Sequence, residues 1–231
     1  MTIAPKRTAS LPQIDEQSVL IFDLDNTLYP AACNLFAQVS DLIGQYVRDA
    51  LSLEPDAAYR VQKDYFHRYG TTLRGLMTEH DIDPADYLAK VHDIDVSVVD
   101  PAPDLAGALD DLPGRKLIFT NASRGHAERV MDRLGIANRF DTIFDIVDAD
   151  YIPKPERQPY DRLLARDGID PVRAVYFEDM AKNLLPAKDM GMTTVWVHTD
   201  VEWAQAGRDD PRIDHQTDDL VGFLRGLSSR P

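Results

Sequence analysis

At 231 residues the chain has material for one core and a modest insertion, which excludes a large multidomain machine. Thirty-nine acidic against 25 basic residues give a net charge of −14 with no Lys/Arg block, so a nucleic acid polymer is not expected as partner. One cysteine, Cys33, permits neither an internal disulfide nor a structural zinc site and fits a reducing cytoplasm, and no run approaches the roughly 20 apolar residues of a membrane helix.

Residues 1–18 mix Lys6, Arg7, Pro5 and Pro12 with acidic side chains, lack the apolar stretch of a signal peptide, and read as a mobile N-terminal arm. Residues 19–23 form an apolar run with the character of a buried strand. About ninety residues of helical periodicity follow, with helices expected over 35–51, 56–69, 73–80 and 84–91 and with Pro55, Gly70 and Pro84 as punctuation. Pro101 and Pro103 mark a return to strand-forming sequence. Strands are expected at 116–120, 142–147, 174–177 and 194–197, separated by helices at 123–134, 159–166 and 181–190 that close on Gly135, Gly168 and Gly191. A final amphipathic helix is expected over 216–227.

Alternating apolar strands and helices predict an α/β domain with a doubly wound parallel sheet. The predicted organisation is an arm (1–18), a core (19–32 and 101–231) and an all-helical cap (33–100) inserted after the first strand. Nothing in the chain decides between a monomer and a homodimer.

Ligands of such sheets bind at the carboxyl edge of the strands, which is where the chemistry-bearing residues fall. The first strand ends in Asp23-Leu24-Asp25-Asn26-Thr27, with Asp23 and Asp25 on roughly one side. Two such anions repel unless a cation lies between them, and carboxylate oxygen suits Mg²⁺. Turn and helix-capping roles would account for the same residues. The second strand delivers Thr120, Asn121 and Ala122 to a helix amino end, a phosphate clamp or a simple cap. Lys154, between Pro153 and Pro155, is a fixed cation for phosphoryl oxygens or a solvated loop lysine. The fourth strand ends in Glu178-Asp179, with Asn183 one turn later, which gives a second metal-binding arm or another helix cap.

Taken in order, Asp23-Leu24-Asp25-Asn26-Thr27, Thr120, Lys154 and Glu178-Asp179 resemble the four motifs of the haloacid dehalogenase superfamily, and the helical insertion resembles its C1-type cap. The resemblance implies a phosphohydrolase in which Asp23 forms an aspartyl-phosphate. Asp25 would protonate the leaving oxygen and then activate water, while Thr120 and Lys154 hold phosphoryl oxygens. Mg²⁺ would be bound by Asp23, the carbonyl of Asp25 and Asp179, with Glu178 in or near the same shell; Asn26, Thr27 and Asn183 would support these groups. A net-negative chain acting on an anion needs such a metal to reverse the local sign. The superfamily's dehalogenases lack the second aspartate, whereas Asp25 is present here; phosphomutases keep both.

The run Tyr69-Gly70-Thr71-Thr72-Leu73-Arg74-Gly75-Leu76, with Asp23 to Pro30 and Thr120-Asn121-Ala122, is similar to the pyrimidine 5′-nucleotidase branch. It implies a small phosphorylated metabolite as substrate, with UMP or CMP the specific expectation. Arg74, Tyr69 and His67 of the cap, together with Asn121, Ala122 and Lys154, would contact it. A sugar-phosphate phosphatase or phosphomutase is the alternative, ahead of a dehalogenase or a non-catalytic binding protein. The motif Glu178-Asp179-Met180 departs from the Asp-Asp-Ser of many relatives.

Overall fold

The computed structural model describes residues 10–228, so residues 1–9 of the expected arm lie outside it. Residues 10–18 are docked: Leu11 and Ile14 pack against the core, and the Asp15 carboxylate accepts two bonds from Arg173, at 2.6 and 2.8 Å.

Strand β1 (Val19–Phe22) leads into the four cap helices α1 (Leu35–Leu51), α2 (Pro55–Tyr69), α3 (Thr72–His80) and α4 (Pro84–Val91). The chain returns through α5 (Pro103–Asp110) and β2 (Arg115–Phe119), then α6 (Arg124–Leu134), β3 (Thr142–Phe144), α7 (Arg157–Asp167) and β4 (Ala174–Glu178). It ends with α8 (Ala181–Asp189), β5 (Thr193–Val197), β6 (His215–Thr217) and α9 (Leu220–Ser228).

All the strands pair in parallel in the order β3-β2-β1-β4-β5-β6, as a doubly wound sheet requires. The period-two alternation of β1 sends Leu20 and Phe22 to one face, against α6 and α9, and Val19 and Ile21 to the other, against α7 and α8. The cap has its own core of Val47, Ala58, Tyr65, Leu73, Leu76, Tyr87, Leu88 and Val91, which Ile146 joins from the loop after β3. Gly75 lets α3 lie directly on α2: a Cβ there would stand 2.4 Å from Tyr65 Cγ.

Three departures from the sequence expectations have local causes. Strand β3 stops at Phe144 because the Asp145 carboxylate accepts from the backbone N–H groups of Val147 (3.1 Å) and Asp148 (2.9 Å), which folds the next residues into a turn. Strand β6 occupies the start of the stretch expected to be the last helix, and its three polar residues give no alternation to read. Helix α5, absent from the expected set, starts with Pro103 at its first position.

The order 3-2-1-4 sets β1 between β2 and β4, and the crossovers leave it in opposite directions. A crevice opens at the carboxyl ends of these three strands. Backbone bonds extend the pairing by one residue there, from Asp23 N–H to Phe177 O (2.9 Å) and from Thr120 N–H to Phe144 O (3.0 Å).

Candidate active site

Lys154 is at the centre of the crevice and is almost fully buried. Its Nζ lies 2.7 Å from Asp23 Oδ1, 2.8 Å from Glu178 Oε2, 2.8 Å from the Phe119 carbonyl and 3.0 Å from the Tyr176 hydroxyl, more oxygens than its three hydrogens can serve at once. The Tyr176 hydroxyl in turn donates to Glu178 Oε2. Asn121 clamps the lysine backbone from both sides, accepting from Lys154 N–H at 2.9 Å and donating to Lys154 O at 3.4 Å. The amide of Asn121 therefore positions Lys154, while Asn121 also lines the cavity, where the sequence places it as a substrate contact. Burial disfavours the ammonium, but Asp23 and Glu178 more than compensate and hold its pKa above the ordinary lysine value.

Asp23, Glu178 and Asp179 bring ligand oxygens within 4.8 Å of one another, all three buried. Burial, followed by the charge of Glu178, pushes the carboxyls of both Asp23 and Asp179 upward, because one ammonium cannot balance three carboxylates. Thr27 ties the two arms together: its hydroxyl donates to Asp23 Oδ2 (3.1 Å) and accepts from Asp179 N–H (3.1 Å). Asn183 donates to Glu178 Oε1 at 3.2 Å. Asp179 Oδ2 and Asn183 Oδ1 are buried with no hydrogen-bond partner. Excess negative charge and orphaned buried oxygens fit a hard divalent cation, which Asp23, Asp179 and Glu178 would hold.

Asp25 is held differently. Its Oδ1 accepts from the Tyr29 hydroxyl (2.5 Å) and lies 2.8 Å from Nε2 of His126, on the first turn of α6. Burial would raise this carboxyl, yet His126 and Tyr29 bring it below the ordinary aspartate value. His92, at the carboxyl end of α4, stacks on His126 with ring centroids 4.6 Å apart and has Nδ1 2.9 Å from Ser123 Oγ. Neither histidine stands in a recognisable motif; the only clue was His126 three residues after the cap residue Ser123, at the helix end facing the crevice.

The cavity above these groups is bounded on the core side by Asp23, Asp25, Asn26, Thr120, Asn121, Ala122 and Lys154. Thr120 Oγ1 accepts from Ala122 N–H at 3.0 Å, which leaves its own O–H to donate. On the cap side the lining is mostly apolar, with Phe36, Val39, Ile43, Phe66, Leu73 and Tyr87 beside the polar Thr71, Thr72 and His92. His67, Tyr69 and Arg74 are not part of that lining. Phe66 takes the inward side of α2 and leaves His67 exposed, while the Tyr69 hydroxyl donates to Glu79 under the Arg68 guanidinium. Arg74, half-buried on α3, is displaced by its neighbours Thr72 and Leu73, which turn inward.

Carboxylates gathered around one buried ammonium, at the carboxyl edge of a parallel sheet and under a helical cap, make this a hydrolase site of the haloacid dehalogenase kind. The haloacid dehalogenase-like hydrolase family model matches residues 18–191, and the chain belongs to that family. Phosphate metabolism protein 8 of Saccharomyces cerevisiae is 27% identical over 240 residues, covering 96% of this chain and 74% of that protein. Among solved structures, a HAD phosphatase from Thermococcus onnurineus superposes with a TM-score of 0.63 at 19% identity, covering 92% of this chain and 98% of that one. An L-2-haloacid dehalogenase from Xanthobacter autotrophicus, with chloropropionic acid covalently bound, gives 0.58 at 16% identity over 93% and 100%. At these identities the structural likeness is one of fold. Among the described residues, no helix is long and apolar enough to cross a membrane.

Proposed function

We propose that the chain is a Mg²⁺-dependent phosphatase of small phosphate monoesters. The observation that carries this reading is Asp25, a second carboxylate lining the same cavity as Asp23, beside the Asp23, Glu178 and Asp179 cluster. A carbon–halogen hydrolase has no leaving oxygen to protonate and no use for that second acid.

In the proposed reaction an Asp23 oxygen bonds to phosphorus as the ester P–O bond breaks, and the departing oxygen takes a proton from Asp25. Water then gives a proton back to Asp25 and attacks the aspartyl-phosphate, releasing phosphate and restoring Asp23. Lys154 and the Thr120 hydroxyl stabilise the phosphoryl oxygens. When bound, Mg²⁺ supplies positive charge against the developing phosphoryl charge.

The cap side of the cavity bears on the leaving group. Among the described lining residues Lys154 is the only lysine or arginine, and it is at the core end, so a second phosphate at the cap end would meet mostly apolar walls with no lysine or arginine to balance it. This weighs against a mutase that needs a bisphosphate. Phe36, Phe66 and Tyr87 suit a flat uncharged ring, and a pyrimidine nucleoside 5′-monophosphate is the substrate we favour.

Phosphate release from nucleoside monophosphates, sugar phosphates and a sugar bisphosphate, with Mg²⁺ or EDTA, tests the reading. The expected result is Mg²⁺-dependent release, fastest with UMP or CMP and lost in Asp23→Asn. Full activity in Asp23→Asn, or no release from any monoester, overturns it.

A further inference from the structure

The two groups that hold Asp25 both bind the same oxygen. The Tyr29 hydroxyl, with one hydrogen, donates it to Oδ1 at 2.5 Å, and Nε2 of His126 approaches that oxygen at 2.8 Å. A carboxylate oxygen offers only acceptor lone pairs to these donors, so Nε2 carries the hydrogen. The other oxygen, Oδ2, makes no hydrogen bond to any described residue, although Asp25 lines the cavity. The imidazole is itself constrained: it is buried, stacked on His92, and set on the first turn of α6, where Ser123 Oγ caps the backbone N–H of His126 at 3.4 Å.

We infer that His126 is a positioning residue which, with Tyr29, occupies Oδ1 of Asp25 and so confines the transferable proton to Oδ2, facing the reacting phosphoryl group. The inference rests on the reading of Asp25 as the acid. As the P–O bond breaks, its electron pair goes to the ester oxygen, the proton moves from Oδ2 to that oxygen, and Asp25 is left as a carboxylate with both bonds to Oδ1 intact. Without His126 the carboxyl can rotate and place its proton away from the leaving oxygen. The loss then depends on how badly that oxygen needs a proton, which simple loosening of the fold would not produce.

The test uses the full chain with Mg²⁺ and two substrates: benzyl phosphate, whose alkoxide leaves poorly, and p-nitrophenyl phosphate, whose phenolate leaves without help. His126→Ala is expected to lower kcat/KM, which reports phosphoryl transfer to Asp23 and not the later hydrolysis shared by both substrates, by about tenfold to a hundredfold on benzyl phosphate, within the range of general acid catalysis, and by less than about threefold on p-nitrophenyl phosphate. His126→Gln, which retains a donor, should recover part of the loss, and Tyr29→Phe should show the same substrate dependence. These two also serve should His126→Ala fail to fold. Asp25→Asn separates the two levels of the claim. If it lowers kcat/KM on both substrates alike, the acid role of Asp25 fails. If it discriminates while His126→Ala, or Tyr29→Phe in its place, lowers both kcat/KM values equally or neither, Asp25 is the acid and the positioning role is overturned.

Discussion

Thr27 bonds directly to both Asp23 and Asp179, accepting the Asp179 N–H and donating to Asp23 Oδ2. Replacing it by valine keeps the shape and leaves a buried N–H without an acceptor, which costs about 1–3 kcal/mol. Thr27→Val should therefore show a lower urea midpoint with an unchanged slope, and weaker Mg²⁺ binding in calorimetry, because Asp23 and Asp179 lose their common tether. Asp23, Lys154, Glu178 and Asp179 were legible in the sequence because carboxylates ending apolar strands, and a lysine between prolines, are conspicuous against their surroundings. His126 and His92 were not, since their pairing with Asp25 and with each other spans the core and the cap and leaves no mark on local sequence. The cap residues illustrate a finer limit. Phe66 and His67 are adjacent, and which of them faces the cavity is decided by the rotation of α2 about its axis, fixed by packing of Ala58, Gln62 and Tyr65 against the neighbouring helices.

At the scale of elements, two glycines inside helices should respond oppositely to the same change. Gly107 of α5 has nothing within 4 Å of an added Cβ, so Gly107→Ala should stabilise by up to about 1 kcal/mol through helix propensity. In α3 the same gain is outweighed, because the Gly75 Cβ would strike Tyr65, whose hydroxyl is 2.6 Å from His80 Nε2. Overpacking of this kind costs about 1–3 kcal/mol, and thermal melts of Gly75→Ala should move down while those of Gly107→Ala move up. The junction of α4 with α6 carries a pH dependence. Burial, then His126, with a smaller contribution from Arg129 and against the pull of Asp25, lowers His92 from 6.5 to about 3. The unfolded chain therefore takes up a proton that the folded chain refuses. This contribution to stability is whole above pH 6.5 and declines as the pH falls toward 3. Between pH 7 and 5, His92→Gln should lose about 2 kcal/mol less stability than the native chain in urea titrations. The helices themselves were legible: α1 and α4 have their expected limits, and α2, α3, α6 and α7 differ by at most two residues at either end. What sequence pattern could not supply was β6 and α5, the first too short and polar for a period-two signal and the second compressed into eight residues beside two prolines.

The molecule as a whole sets its charge against its proposed substrate. A net charge of −14 on 231 residues repels a phosphate dianion at long range, while Lys154 and the proposed Mg²⁺ at Asp23, Glu178 and Asp179 would attract it only within the crevice. The range of the repulsion is under experimental control, since the screening length falls from about 30 Å at 0.01 M salt to about 10 Å at 0.1 M. Over that interval salt removes the repulsion of distant surface carboxylates, such as those exposed on α2 and α4, and leaves contacts inside the buried site nearly unscreened. Electrostatically steered enzymes slow down as salt is added, and this chain should do the opposite. At saturating Mg²⁺, kcat/KM for a nucleoside monophosphate should rise severalfold between 0.01 and 0.1 M salt, through KM with kcat held constant. A fall in kcat/KM would mean that the local positive charge of the loaded site extends beyond the crevice and dominates the approach. In that case the acidic surface has no part in setting substrate capture, and its role is confined to solubility.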